Sequence, residues 1–197
     1  MSVLHFFDVG ANVGQTFDDY LRLHGEFDGC DLWCFEPSPR HLPKLMEKMG
    51  LLRERYRIHV CPFGLAAKTG VRSFSVKDDP RGDSFEVRQA RTAPIMLGYA
   101  LEVAAFGVVD FILTHTQPQD RIVLKLDCEG AEYEILQALL EAPGCEEAHR
   151  RVEVKLVEFH APHAGAEMVP ASGSWQNRAQ LVERYEKTGK PIGPWLW

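Results

Sequence analysis

The sequence predicts an α/β fold, with a mostly parallel central sheet and helices on both faces. Apolar strand-like runs alternate with amphipathic helical stretches along the chain. Several strand bodies are apolar at nearly every position, the pattern of strands buried on both faces. Five strand ends carry acidic, histidine or glycine residues, where parallel sheets bind their ligands.

Val3 to Val9 reads as the first strand, and Gly14 opens a helical stretch. Phe17, Tyr20, Leu21 and His24 fall on one face of that helix, which should end near Gly25. Leu32 to Phe35 is a second strand, closed by Glu36-Pro37. Ser38 can N-cap the next helix, with Pro39 at its first position and Leu42, Leu45, Met46 and Met49 on one face. Arg57 to Cys61 is a third strand. Lys68-Thr69-Gly70 reads as a hairpin turn between Gly64–Ala67 and Val71–Val76.

From Lys77 to Ala93 the chain is polar and broken by proline and glycine, as a loop or lid. Ala100 to His115 reads as mixed helix and strand. Ile122 to Asp127 is a strand with an acidic end, and Gly130 to Ala142 a helix with a stripe of Ala131, Ile135, Ala138 and Leu139. Val152 to Phe159 is a further strand and Gln176 to Lys187 a helix, ended by Gly189 and Pro191. One domain over residues 1–197 accounts for this order. Within it, 77–116 is a candidate lid or substrate insertion, and 161–197 a divergent C-terminal part. Trp195-Leu196-Trp197, with Trp175, reads as a last strand packing on the sheet, the alternatives being a pocket cover or an oligomer contact.

Composition narrows the function classes. Hydrophobic residues make up 45% and charged residues 25%, a globular balance, and the net charge is −6. With no basic stripe, a nucleic-acid partner is not expected. No apolar run reaches the roughly 20 residues of a membrane span, so no membrane partner is expected. The N-terminus lacks the pattern of a signal peptide. The five cysteines form no CxxC pair, which points to free thiols and a cytoplasmic location.

The strand ends carry the chemistry. In D-V-G-A-N-V-G, Asp8 to Gly14, a tight turn can pass beneath a ligand and deliver N–H groups at a helix start, where negative charge is favoured. Asn12 stands where the dinucleotide fingerprint has its second glycine, and G-K-[ST] of a P-loop is absent. The bland alternative is a glycine turn needed only for packing. Glu36, at the end of the second strand, can accept both hydroxyls of a ribose, although any single glutamate defaults to an exposed loop. Together the two loops point to a nucleoside ligand with no pyrophosphate cradle, S-adenosylmethionine (SAM) rather than NAD. In K-L-D-C-E-G-A-E, Asp127 ends a strand and can hold the ammonium of the cofactor's methionine part. Glu129 suits the helix dipole, with an N-terminal cap as the alternative.

DVGANVG, CFEPSP, PFGLAAKTG, LKLDCEGAEYEIL and LVEFH, in that order over residues 6 to 160, resemble the FkbM family of SAM-dependent methyltransferases. The resemblance implies a Rossmann-like class I methyltransferase fold and O-methylation of a hydroxyl on a sugar or other small molecule. It places Asp8, Gly10, Ala11, Asn12, Val13 and Gly14 in the cofactor loop, Glu36-Pro37 at the ribose and Gly64-Leu65 near the adenine. Gly82-Asp83-Ser84 is similar to a serine-containing loop of relatives. Two departures stand out: Val109-Asp110-Phe111-Ile112 replaces the usual T-L-D segment, and the tail after His160 is short.

A hydroxyl acceptor must lose its proton, and His160, after a strand end, is the first candidate base, with Asp127 and Glu129 as alternatives. A structural histidine is the competing reading. No metal ligand set is assigned: Asp127, Glu129, Glu158 and His160 offer donors for a divalent ion, but sequence defines no ligand geometry. Rival functions are a catalytically inert SAM-binding or interaction module and an NAD-linked oxidoreductase. Homo-oligomerisation is left open.

Overall fold

The computed structural model describes residues 2–18, 30–76, 83, 99–160 and 178–194. Six parallel strands form the central sheet: β1 (Leu4–Val9), β2 (Cys30–Phe35), β3 (Arg57–Cys61), β7 (Arg121–Leu126), β8 (Val152–Val157) and β9 (Ile192–Pro194). Their order is β3-β2-β1-β7-β8-β9, so the order reverses between β1 and β7. This is the doubly wound α/β arrangement, the Rossmann-like fold expected from the strand–helix alternation.

Each strand sends alternate residues to opposite faces. Phe7, Val9, Leu124 and Leu126 join one core with Phe35, where they meet α2 (Val108–His115), α3 (Glu132–Glu141), α4 (Cys145–Arg151) and α5 (Arg178–Lys187). Phe111 of α2 packs edge-on against Phe7 and Phe35, at centroid separations of 5.8 and 5.0 Å. Phe6, Leu32, Cys34 and Ile58 form the second core with Phe17, Leu45 and Met49. Leu45 and Met49 lie one turn apart on α1 (Leu42–Leu52), so helices cover both faces. No helix of the described residues is long and apolar enough to cross a membrane. The five cysteines are free thiols.

The structure departs from the sequence reading in several places. Helix α1 starts at Leu42 behind His41, with Pro43 in its first turn. Ser38 instead closes the preceding turn, its carbonyl accepting from the N–H groups of His41 and Leu42. Met46 is 56% exposed and lies off the buried face. The Lys68-Thr69-Gly70 turn joins β4 (Gly64–Ala66) to β5 (Gly70–Val76), but these two strands do not pair. β6 (Tyr99–Gly107) lies between them, parallel to β4 and antiparallel to β5. The hairpin expected from Lys68-Thr69-Gly70 is therefore not formed, because strand pairing here depends on a segment arriving from beyond residue 98.

Of the 77–116 stretch, the structure describes Asp83 and residues 99–116, the latter being β6, which reaches the first core through Phe106, and α2, which is packed into it. The polar run 77–93, Asp83 excepted, lies outside the described residues, as do the first helix beyond Asp18, Trp175 and the Trp195–Trp197 end. Helix α4 carries no apolar stripe and was not anticipated. Its Arg151 is buried and donates to the carbonyls of Ile112 and Thr116, satisfying the open end of α2.

Candidate functional site

A cleft of about 330 Å³ lies at the carboxyl ends of β1, β2, β7 and β8, at the point where the strand order reverses. Its floor is the loop after β1. Gly10 has φ +79°, and a Cβ there would stand 1.9 Å from the Asp127 carbonyl oxygen. The loop therefore crosses the end of β7 with no room for a side chain. Gly14 also has positive φ, but a Cβ there would meet Met49 and Lys48 of α1. Of the two glycines, one approaches the cleft and the other serves packing.

The loop's amide groups are mostly committed. Gly10 and Ala11 both donate to the Phe35 carbonyl, Gly14 donates to Ala11, and Asn12 donates to Glu36 Oε2 at 2.8 Å. The expectation that this loop offers N–H groups to an anion is not met at these four positions. The residue that takes one of them is Glu36, buried at the end of β2. Its second oxygen accepts the Ser38 N–H at 2.7 Å. One carboxylate thus ties two strand-end loops together while lining the cleft, and each oxygen keeps acceptor capacity for a hydroxyl.

Beneath the floor sits Lys125, wholly buried on β7. Its ammonium stands 2.9 Å from Asp8 Oδ1, 3.3 Å from Asp127 Oδ2 and 3.2 Å from the Gly10 carbonyl. Burial disfavours the lysine charge, but Asp8 and Asp127 outweigh it and raise its pKa. Burial raises the pKa of Asp8, with Lys125 opposing. Asp8 is a support for the floor and does not line the cleft.

On the far wall, residues 127–131 form a loop before α3, so Gly130, at φ +115°, is not helical as the sequence reading had it. Glu132, with no exposed surface, reaches back from the first turn of α3. Its Oε2 accepts the Gly130 N–H at 2.8 Å, and its Oε1 accepts the Cys128 N–H at 2.8 Å. This clamp holds Glu129 at φ +56°, a strained conformation for a residue with a Cβ. The same Oε1 contacts His160 Nδ1 at 2.9 Å, which turns Nε2 towards the carboxylates of Glu129, Asp127 and Glu158 at 3.5, 3.6 and 3.8 Å. Burial lowers the histidine's proton affinity, but the hydrogen bond and charge of Glu132, with Glu129 and Asp127, raise its pKa to about 9. Burial and the neighbouring Glu132 and Asp127 push the Cys128 thiol well up, so it stays protonated and is a poor nucleophile.

Of the residues anticipated from sequence, Gly10, Asn12, Glu36, Pro37, Gly64, Leu65, Asp127, Glu129 and His160 meet around this cleft. Asp8, Ala11, Val13 and Gly14 do not line it. Gln15, Thr16, His41, Phe74, Asp83 and Cys128 do line it and were not proposed from sequence as site residues. Asp83 accepts a hydrogen bond from the Ser38 hydroxyl at 2.8 Å, which no local motif signals. Glu132 and Lys125 stood in the recognised block, but their clamping roles need the fold to be seen.

Residues 8–181 match the family model described as Methyltransferase FkbM domain. Among solved structures, the chain is similar to a methyltransferase FkbM from Methylobacillus flagellatus KT, with 18% identity and a TM-score of 0.43. That similarity covers 71% of this chain and 30% of the other, so the chain spans less than a third of that relative's length. No curated protein matches the sequence. The family match runs from the first strand end through the cleft and into α5, and on it this chain belongs to the FkbM methyltransferase family.

Proposed function

We propose that this methyltransferase uses SAM and transfers the methyl group to a hydroxyl oxygen of a sugar or other small molecule. The observation that carries the cofactor reading is the charge and hydrogen-bond character of the cleft. Its described lining holds Glu36, Asp83, Asp127, Glu129 and Glu158 and neither lysine nor arginine, and four amides of its floor loop, at Gly10, Ala11, Asn12 and Gly14, are already bonded. Such a site favours a cationic ligand with hydroxyls over a pyrophosphate. SAM fits that description, with a sulfonium, an ammonium and a ribose diol.

Glu36 is suited to the ribose hydroxyls, Gly64 and Leu65 to the base, and Asp127 to the ammonium. The family's methyl transfer then needs the acceptor oxygen and the methyl held in line, and proximity supplies much of the acceleration. Asp127 and Glu129 are the groups beside the cleft suited to accept the acceptor's proton; His160, the first candidate from the sequence, has its pKa raised to about 9 by the surrounding carboxylates and already carries a proton near neutral pH. Calorimetry with SAM and with NAD tests the cofactor: no heat with SAM overturns the reading. Binding of SAM without turnover over a panel of sugar and phenolic acceptors would leave an inert SAM-binding module instead.

A further inference from the structure

Three carboxylate oxygens converge on His160 Nε2 at 3.5–3.8 Å, too far for ordinary hydrogen bonds. Asp127, Glu158 and His160 each offer one ligand atom, and these atoms all lie within 4.8 Å of one another. Donors around one divalent ion with bonds of about 2.1 Å are roughly 3.0–3.5 Å apart, so the widest pair of the trio needs to draw in by no more than about 1.3–1.8 Å. The three come from the ends of two adjacent parallel strands, where Leu126 pairs with Val157, and the sheet sets their spacing.

Support behind the donors is of the kind metal sites need. The other imidazole nitrogen of His160 is held by Glu132, a buried carboxylate itself fixed by two backbone N–H groups. That carboxylate–histidine pairing orients the ring and strengthens it as a ligand. Lys125 engages Oδ2 of Asp127, while Oδ1 faces His160.

We propose that Asp127, Glu158 and His160 bind a first-row divalent cation on the wall of the cleft. One imidazole with two carboxylates suits manganese or zinc better than calcium, which prefers oxygen ligands throughout. Three protein ligands leave coordination positions open towards the cleft. On the methyl-transfer reading, an acceptor hydroxyl takes one of them and becomes easier to deprotonate. A ligated histidine cannot also serve as base, so the hydroxyl proton passes to the Glu129 carboxylate. The oxygen attacks the methyl carbon, and the carbon–sulfur bond breaks with its electron pair left on sulfur.

The test is titration of the metal-free chain with Mn²⁺, read as loss of the free-ion paramagnetic signal, and with Zn²⁺ by calorimetry. One ion per chain is expected, with affinity falling roughly tenfold or more in Glu158→Gln and in His160→Ala. The thermal unfolding midpoint of each variant confirms that it is folded. Absence of stoichiometric uptake of either ion overturns the proposal, as does uptake that both folded variants retain. Loss of SAM affinity in Glu158→Gln with no ion uptake by the wild type also overturns it and assigns the trio to the cofactor's ammonium. Uptake is read without turnover, so a chain that binds the ion but not SAM sinks the cofactor reading and leaves this one standing.

Discussion

Glu132→Gln is the sharpest perturbation of the wall. The carboxylate is wholly buried and serves the Cys128 N–H, the Gly130 N–H and the His160 imidazole. An amide has one acceptor oxygen. In its better orientation that oxygen keeps Cys128 and His160, while the amide nitrogen faces the Gly130 N–H, donor against donor. One charge-assisted bond is lost and one buried donor is stranded, together about 2–4 kcal/mol. Relief of the Glu129 strain and the lower desolvation of a neutral side chain offset part of this, leaving about 2–3 kcal/mol. At roughly 2–4 °C per kcal/mol for a domain of this size, the unfolding midpoint should fall by about 4–12 °C. Differential scanning calorimetry at neutral pH measures it, with Glu129→Gly as the control. Glycine accepts the positive φ, so that variant should keep or slightly raise the midpoint. A Glu132→Gln midpoint within about a degree of wild type would refute the clamp.

Gly10→Ala should cost stability and at least about tenfold in SAM affinity by calorimetry, because its Cβ would overlap the Asp127 carbonyl and force the floor away from β7. Gly50→Ala should do the opposite: Gly50 lies within α1 with nothing within 4 Å of a new Cβ, so chemical denaturation should show a gain of about 0.5–1 kcal/mol. Lys155, fully buried on β8 beneath the Tyr185 ring, has its pKa lowered by burial, and secondarily by Lys190, to about 8. The unfolded chain binds that proton more tightly, so wild-type stability should rise with pH from about 8 to about 10.5 as the penalty disappears. Lys155→Met should stabilise the protein by about 2 kcal/mol at pH 7 and remove that alkaline rise, as urea unfolding at several pH values will show.

Strand-rich features were the most legible in the sequence. β1, β2 and β7 announce themselves because a parallel strand covered by helices is mostly apolar along its length, whereas β3 and β8 carry charged residues and rest on a weaker signal. Their polar ends located the cleft for the same reason, since a polar residue closing an apolar run must sit where the strand stops. Elements with weak local signals were harder. α4 has a single buried apolar residue, Ala148, and is held largely by Arg151 capping α2 from afar. The separation of β4 from β5 by β6 is a matter of pairing between distant segments.

The sequence by itself determined the alternation of elements, the family motifs and the residue types at each strand end, because these depend on local pattern and spacing. Only the tertiary structure decided which of those residues act on the cleft and which hold it in shape. Asp8 and Gly14 belong to a recognisable loop, yet one neutralises a buried lysine and the other admits a helix. Glu132 looked like one more acid of a cluster, and folding made it the anchor of His160 and the wall loop. The physical reason is that a buried polar group takes its role from the partners that satisfy it, and here those partners come from Lys125 on the neighbouring strand, β7, and from His160 beyond β8.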